Sequence, residues 1–490
     1  MSYDLIGENV IEINWKNFTS GMSTNINTQD GGFSIGHGIP GNGTTASVIN
    51  PIAEPGILNF PTTPTDKSTN LTGQMIASCE APAFAYTRLF VSEDGAGQDG
   101  RFFHCSSSGT LTEVGAEDTT NNYIYGRTDM ILYKSEAYIT NSGDIVRWSS
   151  VGASNTFDYA FFSFSDSFAP HPALVYEDNA FYGDGNLLLR QTSAGGTPAT
   201  ILTLPDNQVI VALGIDPGSG KMLISVVDAY DVSGLGNTGS RVLYYDGFSN
   251  KASKLVPIET MVTAFYNLGS SVFVFYGQNM GFWNGSGITF LRELNIDLDN
   301  SELVYKHHIT NIDDILYIVE KNRILAYGKI LKDQSRVFWY ALQNVVVATP
   351  TDYNFVVDIG NNLLATSFAT DKFYTFATKT VTSVNTLTAS RFYTLEYNFS
   401  RPVTFDQCMI EYIDAIPTAT AAPSGVALVE LYTDDDSVTQ ISTVQVPDGL
   451  SKTTFSCTWP SIQTRNLQIR YIPTVAAAIK RITIFYTPAH

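Results

Sequence analysis

The residues best placed to do chemistry are acids and histidines that stand close together. Asp434, Asp435 and Asp436 are consecutive, and clustered carboxylate oxygens are what calcium takes. Three neighbours in a row cannot all face one ion, so a solvated hairpin tip is the expectation. Glu93 to Gly100, EDGAGQDG, has the Asp/Gly composition of a calcium loop. It lacks the spacing and the closing Glu of the twelve-residue calcium-binding helix–loop–helix loop, and reads as a Gly-rich turn. Asp297 and Asp299 alternate with Ile296 and Leu298 and so share one strand face, as a glycosidase pair would require. Gly214 to Lys221, GIDPGSGK, has the wrong glycine spacing for a phosphate loop. Met222 stands where that loop needs Ser or Thr, so the stretch reads as a turn.

His307-His308 follow a lysine in a strand-like run with no third metal ligand at useful spacing. They read as a partly buried structural pair. Cys79, Cys105, Cys408 and Cys457 have no CxxC spacing and no histidine partners, which argues against zinc. Cys105 and Cys408 lie in strand-like runs and read as buried thiols. Neither a Gly-x-Ser-x-Gly elbow nor an HExxH helix occurs. The expectation is a non-enzyme with no catalytic, cofactor-binding or metal-ligating residues.

The elements around these residues repeat. VTAFYNLGSSVFVFYGQNMGFWNGSGITFL (262–291) gives short apolar strands separated by Gly/Asn/Ser turns and ends on aromatics. ILYKSEAYITNSGDIVRWSS (131–150), ALVYEDNAFYGDGNLLLRQTS (173–193), ITNIDDILYIVEKNRILAYGK (309–329) and NFVVDIGNNLLATSFATDKFYTFA (354–377) share that order. Their first turns fall near Gly97, Ser135, Asp178, Ser219, Ser270, Asp313 and Gly360. A spacing of roughly 40–45 residues between all-strand units is the mark of a β-propeller. The fold expected is all-β, with about seven blades over residues 81–386.

Two other regions flank the blades. Residues 1–80 hold one alternating strand, VIEINW (10–15), and then a Gly-, Asn-, Thr- and Pro-rich stretch that reads as an extended arm. Strand 10–15, or one near 384–397, is a candidate to close the ring. Residues 387–490 carry six alternating strands, among them QCMIEYIDAI (407–416) and IKRITIFYTP (479–488). That spacing predicts an antiparallel β-sandwich or jelly-roll-like domain.

Composition limits the partners. Of 490 residues only 15% are charged, and the net charge is −19. So acidic a chain does not wrap nucleic acid or grip an anionic membrane through a basic face. An acidic passage that repels DNA, and so lets it slide, is compatible with it. No signal peptide and no apolar run of membrane-spanning length are visible, so no membrane insertion is expected. Trp148 and Trp283, at blade ends, are either sugar-stacking platforms or blade core.

The order of these parts resembles virion proteins of tailed phages. NWKNFTSGMSTN (14–25), the arm, a propeller without repeat signatures, and the closing FDQCMIEYID, VALVELYTDDD and RNLQIRYIPTVAAAIKRITIFY carry the likeness. It is similar above all to the tail-hub or nozzle proteins that stabilise packaged DNA in short-tailed phages. The resemblance implies a structural tail protein in a homo-oligomeric ring of six copies, contacting adaptor and tail-fibre proteins. DNA would be passing cargo, and assembly would take place in the host cytoplasm. The alternative expectation is a carbohydrate- or host-receptor-binding propeller of the virion; a glycan-cleaving enzyme ranks below it.

Overall fold

The computed structural model describes residues 74–377 apart from 82–87, 95–98, 116–117, 121, 125, 153, 229–238, 295–302, 321–322, 330–334, 344–352, 361 and 368–371, and the strands named below outside that range. The chain is all-β, with one short 3-10 turn at Lys306–His308 among the described residues. Seven four-stranded antiparallel sheets form the propeller. In chain order their inner strands are Gln74–Glu80, Met130–Tyr133, Ala173–Tyr176, Gln208–Asp216, Val262–Leu268, Ile309–Ile312 and Tyr353–Asp358. These head blades one to seven. Inner strands lie side by side from blade one to blade five, the sixth lies beside the seventh, and the seventh lies beside the first. Between the fifth and sixth blades the Tyr266 hydroxyl donates to Asn311 Oδ1 at 2.8 Å.

The first blade begins at Gln74, inside the stretch expected to be arm. Its first strand, QMIASCE, carries Met75, Ile76 and Ala77, all buried. Gly97 proves to lie between the second and third strands of that blade, one hairpin later than the other anchors. The ring-closing strand is Thr65–Asp66, which completes the seventh blade. Both candidates for that role pair elsewhere. Val10–Asn14 lies antiparallel to Ala477–Pro488, and residues 392–393 and 397–414 belong to the same C-terminal sheet.

Blades pack through aromatic and branched side chains on both faces of each sheet, as the runs of consecutive apolar residues require. The cluster between blades one and two holds Ile76, Leu89, Phe102, Met130, Val146 and Trp148. The hairpin turns carry a second set of ties. Tyr133 donates its hydroxyl to Asp178 O at 3.0 Å and Tyr176 to Gly220 O at 2.6 Å, so an inner strand is bolted to the turn of the following blade. Arg190 reaches Gly247 O in the same sense.

Three first turns are two-residue hairpins with both central residues at positive φ: Lys134-Ser135, Glu177-Asp178 and Asp313-Asp314. That geometry favours glycine at the second position, and left-handed backbone costs a non-glycine residue about 1 kcal/mol. Asp314→Gly is expected to raise stability by about 0.5–1 kcal/mol, read as a higher urea midpoint at unchanged m.

The other unit contains an eleven-stranded sheet that branches at Tyr397–Asp414 and Gln463–Ile472. The strand expected at 407–416 is part of a longer one, Tyr397–Asp414, which also takes the end of the strand expected at 391–399; Phe392–Tyr393 is separate. The longer strand passes Pro402 within a register shift between Asn398 and Val403, where a missing N–H is tolerated. Val438–Val446 is a further strand, paired with Gly425–Tyr432. Apart from strands Tyr3–Leu5, Met22–Ser23 and Phe33–Ser34, and those named above, residues 1–73 lie outside the described residues, as do Asp434, Asp435 and Asp436.

Candidate functional site in the propeller axis

The inner strands of the seven blades surround a cavity of about 510 Å³. That volume is in the range of small-molecule pockets. Its lining is formed by the inner strands, by Arg88, and by the residues that lead into blades two, three and six.

The dominant feature is a strap, Leu303 to His308, that precedes the sixth inner strand. Leu303 is buried with Val211, Val227 and Met261, from blade four and the entry to blade five. The Thr263 hydroxyl donates to Val304 O. The Tyr305 ring lies against Gly126, where a Cβ would come within 2.4 Å of a ring carbon and φ is +75°; only glycine admits this approach. Lys306 Nζ sits 3.0 and 3.1 Å from the two oxygens of Asp129 and 3.4 Å from Ala173 O. The Asp129 carboxylate also accepts the N–H groups of Met130 and Ala173. Blades two and six are not neighbours in the ring, so the Lys306–Asp129 pair spans the axis.

His307 and His308 complete the strap in a 3-10 turn, in place of the strand-like run expected. His308 Nδ1 accepts the Tyr305 N–H at 3.0 Å, which puts the proton on Nε2. The His307 ring stacks between Tyr305 and, at 6.1 Å between centroids, Phe355 of blade seven. Burial, with a contribution from Lys306, pushes His307 down to about 3. His308 is held well below its ordinary value by burial and by His307. Both are neutral at neutral pH. Cys79, also in the lining, has its thiol pushed up to about 12 by burial, so it is no nucleophile.

A second charged group sits where blades one and seven meet. Arg88 donates Nε–H to Asp358 O and pairs through Nη2 with Glu80 Oε1 at 3.3 Å. Lys306 and Arg88 are thus both held by neighbouring acceptors. Removing one partner should show this. Asp129→Ala strips Lys306 of its counter-ion and two backbone N–H groups of their acceptor, and should cost about 2–4 kcal/mol. Asp129→Asn retains an acceptor and should cost less; urea denaturation of both variants distinguishes the two losses.

The other sequence-derived candidates resolve as structure. In GIDPGSGK, Asp216 caps its own turn, accepting Gly218 N–H at 3.0 Å and the Ser219 hydroxyl at 2.8 Å. Asp99 and Glu93 fall on paired strands; the tip between them, and Asp297 and Asp299, lie outside the described residues. Trp148 is fully buried and Trp283 is 8% exposed, so neither offers a stacking platform. Trp148 Nε1–H donates to Asn155 Oδ1 at 3.1 Å, and Trp283 Nε1–H to the Tyr244 hydroxyl at 2.7 Å. No group of three or more potential metal ligands occurs among the described residues.

The strap escaped sequence reasoning because the residues it meets come from separate blades and share no motif with it. One signal was available: the connection from Glu293 to Ile309 is far longer than that from Ile258 to Val262. Extra chain between an outer and an inner strand must go somewhere, and here part of it enters the axis.

No protein-family model matches the chain, and no curated protein matches it in sequence. Solved structures similar to it include a catalytically inactive virginiamycin B lyase from Staphylococcus aureus with quinupristin, at 11% identity and a TM-score of 0.44, covering 64% of this chain and 98% of that one. The C-terminal WD40 domain of Sif2 is similar at 9% identity and a TM-score of 0.40, covering 65% and 99%. BamB from Moraxella catarrhalis is similar at 11% identity and a TM-score of 0.37, covering 62% and 83%.

Proposed function

We propose that this protein is a structural component of a phage tail, of the nozzle or hub type. Copies of it surround a passage that retains packaged DNA and later lets it through. The observation that carries this reading is the strap. It engages side chains or backbone in blades two to five and seven, and commits Lys306 and Asp129 to holding the ring together. A propeller bolted across its own axis serves as a rigid block for building.

It follows that the passage lies between copies rather than along the axis of any one propeller. A net charge of −19 suits such a passage, since like charge lets a polyanion slide without sticking. The receptor-binding alternative loses its main support with Trp148 and Trp283 inside the blades.

The test is to express the full chain, determine its mass in solution by light scattering, and image it by electron microscopy. A closed ring of about six copies with an open centre is the expected result. Labelling of virions with antibody against the chain should mark the tail at its axis. A monomer at micromolar concentration, together with label on peripheral fibres, would refute the proposal.

A further inference from the structure

Cys408 lies in the strand Tyr397–Asp414 and Cys457 in Lys452–Thr458. The two strands are antiparallel, and the register runs without a shift from Gln407↔Thr458 through Cys408↔Cys457 to Ile413↔Lys452. Directly opposite residues of an antiparallel pair share a face of the sheet. Their Cα atoms are about 4.5 Å apart at non-hydrogen-bonded positions and about 5.5 Å at hydrogen-bonded ones. A disulfide needs Cα atoms roughly 4.4–6.8 Å apart. The Cα separation at either type of position falls within that range, and the shorter non-hydrogen-bonded spacing suits the bond better.

We propose that Cys408 and Cys457 form a reversible cross-strand disulfide, made by a small disulfide oxidant such as glutathione disulfide. One cysteine, as thiolate, attacks the oxidant to give a mixed disulfide and releases one glutathione thiolate. The second cysteine then attacks the protein sulfur of that mixed disulfide and expels the other glutathione. Two protein thiols are oxidised, one glutathione disulfide is reduced to two thiols, and the two protons leave with them. The bond opens again in a reducing thiol pool.

The remaining cysteines do not compete. Cys79 is on the first strand of blade one and Cys105 on the third, with Arg88–Asp94 between them. Two strand spacings, roughly 9–10 Å, exceed what a disulfide spans. Both are buried. Lys452–Thr458 pairs only with Tyr397–Asp414 among the described strands. The bond would therefore pin an edge strand and close the loop that contains the hairpin Gly425–Tyr432 and Val438–Val446.

The experiment uses the full-length protein incubated with glutathione disulfide or with a phosphine reductant, then denatured and alkylated. Four alkylated cysteines are expected after reduction and two after oxidation, with a Cys408–Cys457 peptide pair 2 Da lighter than its reduced parts. Cys408→Ser should leave Cys457 alkylated or carrying one glutathione, and no linked peptide. Four alkylated cysteines after oxidation, stable glutathione adducts on both residues of the unmodified chain, or a link between any other pair would overturn the proposal.

Discussion

Lowering the pH from 6.5 to 4.5 is expected to remove about 2–3 kcal/mol of stability through His307, with His308 adding to the loss in the same direction. Both are neutral in the fold, with His307 near 3 and His308 well below its ordinary value. In the unfolded chain a histidine takes up its proton near 6.5. Below that pH the unfolded state binds protons that the native state refuses, so acid favours unfolding. Each group costs about 1.4 kcal/mol per pH unit until its folded value is reached. For His307 the loss is absent above 6.5 and grows down to about 3. His171, also lowered by burial, adds to it in the same direction, opposed in part by Asp184 and Asp166.

Against a total of 5–15 kcal/mol for a typical domain, such a loss is large. Urea unfolding at pH 7, 6, 5 and 4.5 measures it directly. His308→Asn keeps an acceptor for the Tyr305 N–H and has no proton to take up. Its stability at pH 7 should change little while the acid slope falls by nearly one proton. Stability independent of pH over that range would mean that the strap histidines are charged in the fold.

The second large effect concerns Trp148. Its ring is fully buried between blades one and two, 5.0 Å from Phe157 and 6.2 Å from Phe102 by centroid. Trp148→Ala should cost about 4 kcal/mol in lost transfer and cavity energy. Asn155 Oδ1 would lose the indole donor but still accept the Gly152 N–H at 2.9 Å, so its own penalty stays small. Trp148→Phe restores much of the volume and should recover more than half of the loss. Thermal or urea unfolding of the two variants gives the comparison. A full-strength fold in Trp148→Ala would show that the first two blades are not packed through this ring.

Much of the propeller could be read from residues alone, for a physical reason. Inner and middle strands are buried on both sides, so runs such as Val272–Phe275 and Ile315–Val319 stand out as unbroken apolar stretches. Outer strands do not. Thr156–Ser163 alternates between exposed and half-buried positions, and Ile288–Glu293 is nowhere buried, so their pattern is that of any surface strand. Closure by Thr65–Asp66 was beyond reach, because two residues carry no periodicity. The anchor at Gly97 fell one hairpin late because EDGAGQDG carries the Gly/Asp signal of a turn, whereas nothing comparable separates Gln74–Glu80 from its partner Arg88–Asp94. The length of the Glu293-to-Ile309 connection hinted at the strap, but nothing in it named the partners. Lys306 and Asp129 meet across 177 positions of sequence, and only the ring brings them together.

The meeting of blades one and seven governs how the chain can be made. Met75, Phe90, Phe103 and Cys105 share one buried cluster with Phe355, Val357 and Ile359, and Arg88 hydrogen-bonds Asp358 O. A ribosome delivers the first set long before the second, at roughly 5–20 residues per second. During that interval the N-terminal blade exposes an apolar flank, and some 250 residues must emerge before its cover exists. Nascent chains are then sticky for tens of seconds, and the cell must shield them or lose them to aggregation.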